Sequence, residues 1–131
     1  MPKASSPPLH RYAAQAWAIV TLVIVVGTLA PFRFKRTPAD WWWHFYKISD
    51  VVLNVVLFFP FGFCAMLALT QPRSRPARFC VAIAGAAVLS VALESTQRYL
   101  PDRMATVPDV IADVIGAMAG AYVASRYASA Y

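Results

Sequence analysis

Three polar pairs, each spaced by four residues, interrupt an otherwise greasy chain: Asp50 and Asn54, Glu94 and Arg98 with Gln97 beside them, and Asp109 and Asp113. On a helix that spacing puts both members on one face, about 6 Å apart along the axis. Carboxylates and amides so placed hold sugar hydroxyls, and an arginine holds a phosphate. A carboxylate with burial and acid neighbours can instead serve as a general base, and two acids one turn apart can grip a divalent cation. No nucleophile-plus-base pair and no HExxH-like spacing is present, so binding ranks ahead of turnover. The candidate ligand-binding set is Asp50, Asn54, Glu94, Gln97, Arg98, Asp109 and Asp113, and Glu94 and Asp113 are the candidates for catalysis. The sequence assigns no metal site outright and identifies no cofactor.

The elements that must position these residues follow from composition. At 131 residues, 60% hydrophobic and 14% charged, with mean hydropathy +0.54, the chain is too apolar for a soluble domain of this size, in which about a quarter of residues would be charged. The formal charge of +6 raises the question of nucleic acid, but the basic residues sit in short clusters between apolar runs and not along one polar face. A membrane helix needs about 20 residues. Four stretches qualify: 13–30, 51–69, 79–97 and 107–124. The predicted fold is therefore all-α, a polytopic membrane protein with four transmembrane helices in a compact bundle over residues 13–126, preceded by a disordered polar lead at 1–12. The first span reads as a retained helix, because its apolar stretch is long for a signal core and cleavage after Ala30 would leave Pro31 as the first residue.

With helix directions alternating, the start of the second span, the end of the third and the start of the fourth meet at one membrane face. All three polar pairs then lie at a common depth. Each has an ordinary reading as well. Asp50 can complement a helix dipole, and "TVPD" (Thr106 to Asp109) fits a capping box with Pro108 in the first turn. Asn54 and Asp113 lie a turn further in, beyond capping, and Glu94 sits where a helix dipole repels an anion unless Arg98 or another donor compensates. Charges at membrane depth cost on the order of 2.5–3.5 kcal/mol unless paired, so such residues default to function or to mutual pairing.

Packing signals point the same way. "GAMAG" (Gly116 to Gly120) with Ala112 makes a smooth stripe on the fourth helix, and Ala82, Ala86 and Ser90 lead at four-residue spacing into Glu94 on the third. Pro60 cannot donate to the carbonyl of Val56, which predicts a bend in the second helix, with Gly62 making room for it. "WWWHFYK" (Trp41 to Lys47) reads as an interfacial aromatic belt, with His44 at headgroup level. Cys64 and Cys80 read as free thiols.

At these residues the chain resembles the VanZ-like family. The matching elements are Asp50 and Asn54 ahead of "FFPFG" (Phe58 to Gly62), "ESTQRYLPDR" (Glu94 to Arg103) and "PDVIADVIGAMAG" (Pro108 to Gly120), which together cover residues 48–125. Family members commonly have an asparagine where this chain has Asp113, so the site here is more acidic. The family is named for a bacterial protein linked to teicoplanin resistance. The resemblance implies a role in the cell envelope and a place in the bacterial inner membrane, and leaves the biochemical activity open.

Three functions compete for the site: binding the headgroup of an envelope lipid or lipid-linked glycan precursor, carboxylate acid/base chemistry on such a lipid, and proton or cation transport. Transport ranks last, because four spans without an internal repeat would have to oligomerise to form a pathway. The partners implied are the lipid bilayer, an envelope lipid, and protein partners or further copies of the chain, with no nucleic acid. Lys and Arg divide six against six between the two membrane faces, so the positive-inside rule does not orient the chain. The middle loop, with Arg73, Arg75 and Arg78 and no acid, favours cytoplasmic termini.

Overall fold

The computed structural model describes residues 9–30, 32–42, 47–70, 72–101 and 103–130. Four helices lie among them: α1 (Leu9–Leu29), α2 (Ile48–Ala68), α3 (Arg75–Gln97) and α4 (Val107–Ala130). The aromatic run from Trp43 to Tyr46, His44 included, and residues 1–8 of the polar lead fall outside the described residues. Each helix is long and apolar enough to cross a membrane. At 21 to 24 residues, they reach roughly 32–36 Å at ~1.5 Å per residue, against a hydrocarbon core of ~30 Å.

Helix ends extend past the apolar stretches that mark them in the sequence. α1 starts at Leu9 and not at Ala13, α3 at Arg75 and not at Phe79, and α4 runs on to Ala130. Hydropathy marks where a side chain tolerates hydrocarbon, whereas a helix continues as long as its backbone bonds do. At α3 the start is set by Pro76 in the first turn, where a missing N–H costs nothing.

The bundle is inside out by the standards of a water-soluble protein. Its closest packing is between small residues: Ala82, Ala86, Ala112, Ala117, Ala121 and Ala124 are all buried. Many large ones lie on its outer surface, with Val88 71% exposed, Leu22 63% and Val56 61%, while Ile24, Phe58 and Phe61 are buried in the core. Lipid tails are as apolar as valine, so nothing drives these side chains inward, and close backbone approach becomes the main source of helix association.

Glycines set that approach. α2 and α4 run parallel and make the most intimate pair in the bundle. A Cβ on Gly62 would fall on the carbonyl of Ala117, one on Gly116 on the carbonyl of Val55, and one on Gly120 on the carbonyl of Phe59. The absent side chain of Gly62 thus admits the backbone of α4, a different task from relieving Pro60. α2 stays helical across Pro60 without interruption. α1 packs on α2, where Trp17 meets Phe61 edge-on at 5.7 Å between ring centroids, and α3 packs mainly on α4.

The connection after α1 is laced to the connection before α4. Lys35 N–H donates to Tyr99 O (2.7 Å), Ala39 N–H to Arg98 O (2.8 Å), Trp42 N–H to Ala105 O (3.0 Å) and Val107 N–H to Trp42 O (2.9 Å). Trp42 and Thr106 form an isolated parallel bridge. These bonds satisfy backbone groups that would otherwise be exposed at the bilayer edge.

Candidate functional site

The last turn of α3 places Glu94 and Gln97 inward, only 5% and 7% exposed. Gln97 Nε2 donates to the carbonyl of Thr28 at 3.3 Å, tying the ends of α3 and α1 together. Glu94 Oε2 accepts the backbone N–H of Thr106 at 3.1 Å. Thr106 is the residue that caps α4: its Oγ1 accepts the N–H of Asp109 at 3.2 Å.

In a complete capping box the third helical residue reaches back to the N–H of the cap. Here that N–H is taken by Glu94 from another helix. Asp109 is therefore released from the return half of the box. Its Oδ1 is buried and has no hydrogen-bond partner among the described residues, while Asn54 and Asp50 of α2 lie nearby. The same exchange explains how Glu94 is accommodated at the carboxyl end of α3. The compensating donor is the start of α4, where a helix terminus favours an anion, and not Arg98.

Around these groups lies a cavity of about 410 Å³. Its polar lining is Lys47, Asp50 and Asn54 from the start of α2, Glu94 and Gln97 from α3, Arg103 and Thr106 from the following loop, Asp109 from α4 and Thr28 from α1. Its apolar lining is Val23, Leu53, Leu57 and Met104. Of the seven residues the sequence singles out, five meet here: Asp50, Asn54, Glu94, Gln97 and Asp109.

Two do not line it. Arg98 donates through Nε to the carbonyl of Ala39 at 2.7 Å, which ties it to the connection between α1 and α2. Asp113 sits a turn deeper, 3% exposed, with Oδ2 accepting from Ser90 Oγ at 2.6 Å. The small stripe Ala82, Ala86 and Ser90 thus ends on Asp113 as well as on Glu94. Asp113 Oδ1 is buried without a partner among the described residues, so this group has bonding capacity in reserve behind the cavity wall.

Lys47 and Arg103 line the cavity and escaped the sequence argument. Both flank helix ends, the usual place for cations at a membrane interface, and their spacing carries no signal. Arg103 is brought in by the loop, with Nη2 donating to Gly27 O at 3.4 Å. Three carboxylates and two cations then share one cavity, with Glu94 at its buried end and Lys47, Asp50 and Arg103 at its exposed rim. Among the described residues no group of three or more His, Cys, Asp or Glu is arranged to hold a metal ion.

A family model described as VanZ/LLP1 matches residues 5–128, a span that takes in α1 as well as the three helices carrying the resemblance noted above. No curated protein and no solved structure matches the chain. The chain belongs to the VanZ/LLP1 family and, with four long apolar helices packed together, is a VanZ-like multi-pass membrane protein.

Proposed function

We propose that this protein binds the polar head of an envelope lipid or lipid-linked precursor in the cavity between α1, α2, α3 and α4, and so serves cell-envelope maintenance or glycopeptide tolerance. We place it in the bacterial inner membrane with both termini cytoplasmic, on the strength of the acid-free arginine loop between α2 and α3. The cavity then lies at the outer leaflet, where envelope precursors are consumed.

The observation that carries this reading is the double character of the cavity wall. Val23 and Leu53 line the cavity and are also 60% and 56% exposed on the outside of the bundle. A molecule with a polar head and an apolar tail fits both: the head against Asp50, Asn54 and Asp109, the tail leaving past Val23 and Leu53 into the bilayer. Carboxylate and amide oxygens accept from hydroxyls, and Lys47 and Arg103 supply the donors a phosphate needs.

Native mass spectrometry of the protein released from membranes tests it. The wild-type chain should carry an envelope lipid or lipid-linked glycan, and Asp109→Ala combined with Asn54→Ala should lower its occupancy about tenfold or more, as loss of charge-assisted hydrogen bonds implies. Equal occupancy in both would refute it.

Turnover of the same ligand is the second reading. It is favoured by Glu94, which lines the cavity while one of its oxygens is held by a fixed backbone donor, an orientation a general base requires. Glu94→Gln should then abolish product formation yet leave lipid occupancy largely intact.

A further inference from the structure

A second cavity, of about 490 Å³, lies at the opposite end of the bundle, where α1 and α3 begin and α2 and α4 end. His10, Thr70, Arg75, Arg78 and Ser125 are among its lining, and among the described residues no Asp or Glu lines it. All six acids of the chain, Asp40, Asp50, Glu94, Asp102, Asp109 and Asp113, belong to the other end in sequence. Among the described residues, Arg75 and Arg78 therefore share this cavity with no Asp or Glu side chain.

Three further observations concern the same spot. Arg78 is held in place by a hydrogen bond from Nη1 to the carbonyl of Leu69 at 3.3 Å, and its buried Nε has no partner among the described residues. The first turn of α3 contains no acid, although a helix start favours anions and disfavours cations. Ser74, which precedes that turn, makes no capping hydrogen bond through its side chain. Pro76 has no N–H and the Arg78 N–H donates to Ser74 O at 3.1 Å, so the N–H groups of Arg75 and Ala77 are the ones left to other acceptors. Two guanidinium groups and a helix start, without an acid between them, form a complementary set for a tetrahedral anion.

We propose that this cavity is a phosphate site, with Arg75 and Arg78 gripping the anion and the first turn of α3 facing it. It is independent of the acidic cavity and of any function assigned there. Helix ends lie at headgroup depth, where the phosphodiester of an anionic lipid is the nearest and most abundant source. Free phosphate from the adjoining aqueous phase offers the same chemistry. The apolar share of the wall, Met66 and Leu67, suits the glycerol and first methylenes of the lipid.

The test uses the full chain purified in zwitterionic detergent, with three variants: Arg75→Gln with Arg78→Gln, Arg75→Gln alone, and Arg73→Gln as a control outside the cavity. In one arm, native mass spectrometry compares uptake of phosphatidylglycerol and phosphatidylcholine. In the other, inorganic phosphate is titrated and the thermal midpoint followed. Preference for phosphatidylglycerol in wild type and in Arg73→Gln, lost about tenfold in the double variant, supports the site and identifies a lipid phosphate. A phosphate-dependent rise in midpoint that the double variant lacks, without lipid preference, supports it and identifies free phosphate. Should the double variant fail to fold, Arg75→Gln carries the comparison, since Arg75 is exposed at a helix end and should lose several-fold. Wild type and the cavity variants behaving alike in both arms overturns the proposal.

Discussion

Where α2 and α4 begin, three carboxylates share a cavity with Lys47 and Arg103. Where they end, Arg75 and Arg78 face a cavity with no Asp or Glu among its described residues. At the first end several polar side chains are tied to backbone: Glu94 to Thr106, Arg98 to Ala39, Arg103 to Gly27 and Gln97 to Thr28. At the second, among the described residues, one side-chain hydrogen bond holds an arginine of the cavity, that from Arg78 to Leu69. The difference teaches where stability and ligand binding should separate. At the acidic end the polar residues that build the site also hold the fold together, so most substitutions there act on both. At the basic end the side chains are peripheral to the packing, and their removal should act on binding alone.

The largest effect should come from the axis both ends share. Gly120→Leu drives a side chain into the backbone of Phe59, and overpacking of this kind typically costs about 1–3 kcal/mol, with more to come where the clash is with backbone. The thermal midpoint in detergent should fall steeply and lipid occupancy should be lost at both ends together. If one end keeps its ligand, the helices reach their sites independently and the comparison needs redrawing.

Next comes Glu94. Glu94→Ala leaves the buried N–H of Thr106 unsatisfied and should destabilise by about 1–3 kcal/mol, whereas Glu94→Gln retains an acceptor and should stay close to wild type. The difference in denaturation midpoint between these two variants measures how far the acidic end depends on its own hydrogen bonds. Ser90→Ala, which strips Asp113 Oδ2 of its donor, belongs to the same class, and Asp113→Asn should partly relieve it because an amide tolerates burial without a donor better than a carboxylate does.

Removing the cap of α4 should be milder. Thr106→Val loses the bond to the N–H of Asp109, a change worth ~1 kcal/mol at a typical N-cap, while the backbone N–H that Glu94 needs survives. The smallest stability effect is expected at the basic end, where Arg75→Gln should leave the midpoint within ~0.5 kcal/mol of wild type yet weaken retention of the anionic lipid. A large loss of stability there would show that the arginines hold the bundle and would erase the contrast between the ends.

Much of this was legible in the residues themselves. Apolar stretches of helical length gave four crossings, and alternation of direction put Asn54, Glu94 and Asp109 at one face before any packing was known. Small residues at four-residue spacing, from Gly116 to Gly120 and from Ala82 to Ser90, marked the faces that come together. The loops were not legible. Nothing in the spacing of "RYLPDR" says that Arg98 turns away to the carbonyl of Ala39 while Arg103 turns back toward Gly27, because the two acceptors lie 59 and 76 residues earlier in the chain.

The sequence by itself determined that this chain crosses a membrane and how many times, since transfer of each segment into hydrocarbon depends on that segment's own side chains. It also determined which face would be acidic, because every Asp and Glu falls on the same side of the alternating crossings. Only the tertiary structure decided which carboxylate takes the Thr106 N–H. Glu94 of α3 accepts it, so Asp109 does not fill the return half of the capping box, and a donor with a single hydrogen commits to the acceptor that folding brings nearest.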